Sequence, residues 1–264
     1  MVSFLKKIVI TLCTILIFSC QADDKNTVKI GAISGPESDL LQSAKKYAKE
    51  KYNLNIKIIE FSDYLQPNAA LDDGSIDANM FQHKPYLDQQ NKDKNYNLVS
   101  IGKTFVYPMG VYSNKYKDLN NLPNGAKVGI PNDTSNEGRA LLLLEKAKLI
   151  KLNKKAGLYA TPHNIIENPK KLKFIELDAS QLARSLPDLA IATINTNYAV
   201  AAKLNPKEQS IFSENKDSPY ANIIVAREDR KNDLKIKQLV KSIQSDAVLK
   251  TANILFNNQA IKAW

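Results

Sequence analysis

The chain has 264 residues, of which 44% are hydrophobic and 24% charged, with 9 glycines and 11 prolines. This composition excludes a disordered polymer, a collagen-like fibre and a polytopic membrane protein. The formal net charge is +10, but the lysines are scattered singly, without the arginines and aromatics of a nucleic-acid groove, so no nucleic-acid partner is predicted. Two cysteines provide no disulfide framework, and the length suits one large domain or two lobes.

The N-terminus has the features of a lipoprotein signal peptide over residues 1–19. Two lysines precede an uncharged apolar run at 8–18, which is too short to span a bilayer but typical of a secretory signal. The run ends in the sequence IFSC, which resembles a bacterial lipobox although its phenylalanine is unusual there. The resemblance implies that Cys20 is acylated and that residues 20–27 form a lipidated flexible tether. Ordinary signal cleavage, leaving Cys20 free, is the alternative.

The body begins with an alternation of strand and helix. Residues 28–33 are predicted to form a short buried strand, and Ser34 and Glu37 stand at capping-box spacing before a helix. A second strand is predicted at 56–61. A strand, a helix and a second strand within about 35 residues form a βαβ unit, which predicts parallel pairing.

The same alternation continues in the middle of the chain. Further strands are predicted at 126–130, 172–177 and 189–194, and helices at 136–149, from Asn195 to about Leu204, and at 233–255. Two strand-like segments, 104–112 and 220–225, are predicted to link two halves. The sequence therefore predicts an α/β protein of two lobes with a ligand cleft between them, beyond the carboxyl ends of the strands.

The chain lacks the common signatures of enzymes and metal sites. No phosphate-binding glycine loop, dinucleotide fingerprint or nucleophile elbow occurs. Neither His83 nor His163 has a second histidine or a cysteine at metal-ligand spacing, so no metal and no cofactor are predicted. An enzyme on this fold would need an acid/base pair facing its substrate, and only His83 offers itself, so the chain is predicted not to be an enzyme.

Aromatic side chains mark one candidate wall of the cleft. Phe81, His83 and Tyr86 lie where a short strand gives way to a helix, and Tyr64 follows the second predicted strand. Side chains at matching strand ends meet at one edge of a sheet, so these four could face a ligand together. Core packing is the alternative for each ring.

Polar side chains mark the other candidate wall. Arg139 lies in the first turn of a predicted helix, where the helix dipole disfavours a cation by roughly 0.3–1 kcal/mol. A bound carboxylate would reverse that sign; an arginine reaching to Asp133 or Glu137 is the alternative. Asn195 is most simply an N-cap. Asn222 interrupts an apolar strand and could orient a ligand, or be a satisfied edge amide.

Five segments resemble the methionine-binding lipoproteins of bacterial methionine ABC importers: GSIDANMFQHKPYLDQQ, TFVYP, VGIPNDTSNEGRALLLLEK, INTNYA and SPYANIIVARED. They occur in the family's order and spacing, and the resemblance extends over residues 28–264. It implies a type II-like periplasmic-binding-protein fold with lobe 1 at 28–108 and 225–264 and lobe 2 at 109–224.

The resemblance also implies a function. The protein would be anchored in the cell envelope through Cys20, facing the periplasm or the exterior, and would deliver L-methionine to an ABC transporter permease in the inner membrane. Another small amino acid, a methionine-containing peptide or a surface role without transport remain alternatives. The family's binding residues correspond to eight positions of this chain. The resemblance implies an aromatic cage around the thioether, formed by Tyr64, Phe81, His83 and Tyr86. It also implies a carboxylate anchor at Arg139 with Asn136 beside it, and amide partners at Asn195 and Asn222. Because no ligand anion reaches the thioether, we expect His83 to be neutral.

Overall fold

The computed structural model describes residues 26–215 and 218–264. The predicted signal peptide, Cys20 and most of the predicted tether therefore lie outside the described residues. The strands are β1 Thr27–Ile33, β2 Asn55–Phe61, β3 Ala78–His83, β4 Leu98–Val106, β5 Gly110–Tyr112, β6 Lys127–Pro131, β7 Lys151–Leu152, β8 Ile165–Glu167, β9 Lys173–Leu177, β10 Ile191–Ile194, β11 Phe212–Ser213, β12 Ala221–Arg227 and β13 Ile261–Lys262. The helices are α1 Pro36–Tyr52, α2 Pro67–Asp72, α3 Lys84–Lys94, α4 Thr134–Lys146, α5 Leu182–Ser185, α6 Thr196–Ala201, α7 Pro206–Gln209, α8 Leu234–Ile243 and α9 Asp246–Leu255.

A six-stranded sheet is built around the first βαβ unit. Its strand order is β13-β4-β12-β3-β1-β2. β1 runs parallel to both β2 and β3, so the parallel pairing predicted for the first two strands is confirmed. β12 returns from the far end of the chain and pairs antiparallel with β3 and β4.

A five-stranded sheet is built from the middle of the chain. Its strand order is β11-β5-β10-β6-β9, with β6 parallel to β9 and β10, and β5 antiparallel to β10 and β11. The chain leaves the first sheet after Val106 and enters the second at Gly110; it leaves the second after Ser213 and returns at Ala221. The first connection, between Val106 and Gly110, lies within the predicted linking segment 104–112. The second lies between Ser213 and Ala221, ahead of the predicted segment 220–225, most of which forms β12 of the first sheet.

Each sheet has a hydrophobic core of its own. In the first, α1, α8 and α9 pack on the sheet through buried aliphatic residues such as Leu40, Leu239 and Val248. In the second, α4 buries Leu141, Leu143 and Leu144 against β6, while Leu142 of the predicted stripe is only partly buried. A third cluster contains residues from both sheets, among them Phe81 and Ile194, and it lies at the junction where the cleft is predicted. No helix among residues 26–215 and 218–264 combines the length and apolar character needed to cross a membrane.

Helix boundaries depart from the predicted ones at their caps. The capping box at Ser34 and Glu37 does not form, because α1 begins after Gly35, whose φ of 106° turns the chain sharply. Ser34 instead donates to Glu60 on β2 at 2.9 Å, and Glu37 turns into the interior. The predicted C-terminal helix is broken into α8 and α9, because the Ser245 side chain accepts a hydrogen bond from the amide of Val248 and starts a new helix.

Candidate ligand-binding cleft

A cavity lined by residues from both sheets and from the segments beside them lies between the two sheets. All eight residues predicted as binding residues line this cavity, and so do four further residues: Gln82, Tyr107, Thr196 and Asn197. The structure therefore brings the two predicted walls together, although the role of each residue in binding stays a prediction.

The aromatic wall consists of three rings in mutual contact. The ring centroid of Phe81 lies 5.8 Å from that of Tyr64 and 5.7 Å from that of Tyr86, within the range of favourable tilted and edge-to-face pairs. The hydroxyl of Tyr86 donates to the carbonyl oxygen of Tyr64 at 2.8 Å, which fixes the loop after β2 against α3. The core-packing alternative is thus partly right, since the rings pack on each other and still face the cavity.

His83 is held as a neutral imidazole. It caps α3, and its Nδ1 accepts a hydrogen bond from the amide of Tyr86 at 3.2 Å. The proton therefore belongs on Nε2, which lies 3.3 Å from the Oδ1 of Asn136. Burial, and then the charge of Arg139, lowers the pKa of His83 to about 3. The expectation of a neutral imidazole agrees with this environment.

Arg139 is buried and forms an ion pair that the sequence does not predict. Its Nε and Nη2 donate to the two carboxylate oxygens of Glu214, at 2.8 and 2.5 Å, and Nη2 also donates to the carbonyl oxygen of Tyr107 at 2.9 Å. Its guanidinium carbon lies 4.5 Å from the ring centroid of Tyr220. The remaining nitrogen, Nη1, donates to none of the residues described, so it is free to bind an anion.

Two expectations about Arg139 are wrong. α4 begins at Thr134 because the carboxylate of Asp133 caps it, so Arg139 lies in the second turn, where the dipole argument carries little weight. The alternative partners, Asp133 and Glu137, do not pair with it; Glu214 does. Burial is the largest single influence and lowers the pKa of Arg139, but the charge and the hydrogen bonds of Glu214, with smaller contributions from Tyr220 and Tyr64, together raise it.

Three amide side chains connect the two walls. Asn136 donates through Nδ2 to Asp133 at 3.0 Å and accepts at Oδ1 from the Nδ2 of Asn195 at 2.8 Å. Asn195 stands at the N-cap of α6, but its side chain makes no capping bond, so the simple N-cap interpretation is wrong. Its Oδ1 accepts no hydrogen bond in the part of the chain that the structure describes. That oxygen is available for a ligand.

The third predicted amide, Asn222, leads to a further buried carboxyl group. Asn222 lies on β12 and donates through Nδ2 to Glu37 at 3.0 Å and to the carbonyl oxygen of Phe81 at 3.4 Å. Glu37 is 1% exposed, and burial raises its pKa well above the usual range. The sequence pattern assigns Glu37 to a capping box, so the burial of Glu37 beside Asn222 is not predicted from the sequence.

Sequence reasoning missed the remaining lining residues for simple reasons. Gln82 lies between Phe81 and His83, so strand alternation assigns it to the opposite face; there it bonds to Asn68 and Asn79. Asn197 follows two residues after Asn195 and accepts from the hydroxyl of Tyr64 at 2.7 Å. The signal for Asn197 was the repeated asparagine in INTNYA. Within 26–215 and 218–264 no three side chains are grouped as a metal site.

A family model described as NlpA lipoprotein matches residues 28–264. The chain belongs to the NlpA lipoprotein family. A relative in this family, the D-methionine-binding lipoprotein MetQ of Salmonella typhimurium, is 53% identical over 249 residues, which cover 93% of this chain and 92% of the relative.

Two solved structures of similar proteins confirm the fold class. A nutrient binding protein from Burkholderia cenocepacia bound to methionine is 51% identical, with a TM-score of 0.88 over 90% of this chain and 100% of that one. An ABC transporter periplasmic substrate-binding protein from Coxiella burnetii is 55% identical, with a TM-score of 0.87 over 89% and 100%. The predicted α/β two-lobed binding-protein fold is confirmed by these likenesses.

Proposed function

We propose that this NlpA-family protein binds L-methionine in the cleft and delivers it to an ABC transporter permease. The observation that carries the proposal is a single cavity with rings at one side and a buried guanidinium at the other. Its support from relatives is the methionine bound to the Burkholderia cenocepacia protein and the transporter name of the Coxiella burnetii protein.

The chemistry of the two walls fits a sulfur-containing amino acid. A thioether gains about 0.3–1.5 kcal/mol from each well-placed aromatic contact, and Tyr64, Phe81 and Tyr86 offer three. Arg139 offers Nη1 to a carboxylate, and a buried charge-assisted hydrogen bond is about twice as strong as a neutral one. About nine heavy atoms at ~1.5 kcal/mol each limit the affinity to near −13 kcal/mol, so nanomolar binding is within reach.

The lobes that enclose the ligand follow the two sheets. We infer lobe 1 from residues 28–108 and 225–264, and lobe 2 from 109–224, with both connections beside the cavity. The separate cores of the two sheets support this division. Strand β12 begins at Ala221, four residues before the inferred start of the second part of lobe 1 at 225. The second connection therefore ends before β12.

The anchoring and the location rest on the N-terminus and on the family. Acylated Cys20 would hold the protein at the membrane of the cell envelope, facing the periplasm or the exterior, because several buried acyl chains together give stable attachment. The tether at 20–27 would then leave the cleft free to meet the permease in the inner membrane. Relatives in the family are named lipoproteins, which supports this placement.

We infer that the protein does not catalyse a reaction on its ligand. A general acid or base needs a pKa near the working pH, and the pKa of His83 lies far below that range. Because burial lowers the pKa of His83 to about 3, its imidazole is neutral at physiological pH and has no imidazolium proton to donate. Methionine offers no labile proton at its thioether either.

The test is native mass spectrometry of the purified protein, followed by calorimetry with L-methionine, D-methionine and norleucine. We expect co-purified methionine, and tighter binding of L-methionine than of norleucine, in which a methylene replaces the sulfur. The name of the Salmonella typhimurium relative makes D-methionine a necessary competitor. A protein that binds none of the three, and whose melting temperature none of them raises, would contradict the proposal.

A further inference from the structure

A buried carboxyl group stands behind the cavity without a full set of partners. Glu37 lies in the first turn of the 17-residue helix α1 and is 1% exposed. Its Oε1 accepts a hydrogen bond from Asn222 at 3.0 Å, while its Oε2 has no partner among the residues described. A buried polar group with an unmade hydrogen bond destabilises the fold, so a carboxyl group at this position calls for an explanation.

The surroundings of Glu37 belong to the cavity. Its charge raises the pKa of three tyrosines that stand on three different segments, namely Tyr64, Tyr107 and Tyr198. All three line the cavity or pack on its aromatic wall. Burial is the larger cause for each phenol, and all of them stay neutral at physiological pH. Among these neighbours, Glu37 is therefore the group able to carry a negative charge.

Glu37 also fixes which atom Asn222 presents to a ligand. Both hydrogens of the Asn222 amide are engaged, one by Glu37 and one by the carbonyl oxygen of Phe81. The opposite amide orientation would set two oxygens against each other at Phe81, so it is excluded. The Oδ1 of Asn222 accepts no hydrogen bond from the described residues, and Asn222 lines the cavity. This side chain therefore offers the cavity an acceptor.

A second acceptor lines the same cavity. The Oδ1 of Asn195 accepts no hydrogen bond from the residues that the structure describes, while its Nδ2 donates to Asn136. At Arg139, by contrast, the cavity is lined by a donor, and Glu214 already neutralises most of its charge locally. Acceptors backed by a carboxyl group suit an ammonium, whereas the free guanidinium nitrogen suits a carboxylate.

We propose that Glu37 is the residue that makes the cleft specific for a ligand with a free ammonium group. It acts as a positioning residue: it holds Asn222 with its carbonyl oxygen toward the ligand and supplies the negative charge behind that oxygen. The inference rests on the proposed function, because it takes the ligand to be an α-amino acid. It adds a determinant that separates amino acids from other carboxylates with the same side chain.

Proton release follows from this arrangement. Burial raises the pKa of Glu37 well above its usual range. An ammonium nearby favours the charged carboxylate and draws that pKa down, so binding at mildly acidic pH releases a proton. A ligand without the ammonium group has no such effect.

The experiment compares two ligands and two variants. Calorimetry is carried out with L-methionine and with its desamino analogue, 4-(methylthio)butanoate, on the wild type, Glu37→Gln and Glu60→Gln. Glu37→Gln keeps the shape and the acceptor for Asn222 but cannot ionise. The control, Glu60, is an exposed carboxylate bonded to Ser34 and Ser38 at the same end of α1.

We expect Glu37→Gln to weaken methionine binding by about tenfold or more, about 1.4 kcal/mol, and to leave binding of the desamino analogue unchanged. Glu60→Gln should change neither. An equal loss for both ligands, or an unchanged preference for methionine, would overturn the inference while leaving the proposed function intact. Failure of the wild type to bind methionine at all would instead overturn the proposed function.

A measurement on the wild type covers the case in which Glu37→Gln does not fold. Titration of methionine in two buffers with different ionisation enthalpies reports the protons exchanged on binding. We expect release at mildly acidic pH with methionine and none with 4-(methylthio)butanoate. Identical heats in both buffers for methionine, after correction for dilution, would contradict a carboxyl group that responds to the ammonium.

Discussion

The aromatic wall of the cavity comes from a single stretch, residues 64–86, whereas the polar wall collects side chains from places as far apart as Glu37, Arg139 and Glu214. The rings are set by local structure: a strand ends, a helix begins, and alternation presents Phe81 and His83. The polar groups come together only because the chain crosses twice between the two sheets. A local pattern can specify an apolar surface, but buried charges are satisfied only by the complete fold.

The largest effect should come from Arg139→Ala, which tests the polar wall. It removes the carboxylate anchor and leaves the buried carboxylate of Glu214 without its cation, with only the Met109 amide and the Ser218 hydroxyl still donating to it. Breaking a buried ion pair in this way typically costs about 3–5 kcal/mol. We expect methionine affinity to fall at least tenfold, about 1.4 kcal/mol, together with a lower melting temperature. Calorimetry and thermal unfolding measure the two effects.

A double variant separates the two effects of Arg139→Ala. Adding Glu214→Gln removes the uncompensated charge, so the melting temperature should largely recover. Methionine affinity should stay low, because the anchor is still absent. Recovery of affinity with stability would show that Arg139 acts only on the fold.

Phe81→Ala tests the aromatic wall and should have the next largest effect. It removes one ring contact with the thioether, worth about 0.3–1.5 kcal/mol, from methionine and not from norleucine. We expect the preference for methionine over norleucine to shrink by up to about tenfold. Phe174→Ala, in the core of the other sheet, is the control for a general loss of packing. An unchanged preference in Phe81→Ala would contradict the cage.

Tyr64→Phe tests the contact between the walls. The hydroxyl of Tyr64 donates to Asn197 at 2.7 Å, and a hydrogen bond of this kind contributes about 0.5–1.5 kcal/mol. We expect a loss of methionine affinity of a few fold, with a faster dissociation rate in stopped-flow measurements. The ring of Tyr47 contacts Tyr52 on the outer part of α1, so Tyr47→Phe should leave methionine affinity unchanged. Equal effects of the two changes would argue against a specific role for the bond.

The last test concerns the pH dependence of stability rather than ligand binding. The pKa of His83 is lowered to about 3 in the folded protein, so the unfolded chain takes up a proton first as the pH falls below about 6.5. His83 therefore destabilises the fold progressively between those two values. His83→Asn keeps an N-cap acceptor for α3 and should make the melting temperature less dependent on pH in that window. A parallel pH profile for both proteins would disprove the assignment.

The sequence predicts much of the fold but little of the charge pairing. Strands such as β1, β6 and β9 are short apolar runs, and the periodicity of α4 is plain, so these elements are predicted within a few residues. The capping box fails because Gly35 adopts a positive φ that the sequence pattern does not reveal. Glu214 could not be predicted as the partner of Arg139, since 75 residues separate them and no periodicity joins a helix to a distant loop.

The bond from Arg139 to the carbonyl oxygen of Tyr107 connects the anchor to a connecting segment between the sheets. If the lobes open by a rotation about the connections, a residue bonded to a connection is displaced little. The rings at 64–86 belong to one lobe and would move with that lobe. In an open cleft, the guanidinium would still be in place. The carboxylate end of an arriving molecule would therefore be held before its side chain is enclosed, which sets an order for capture.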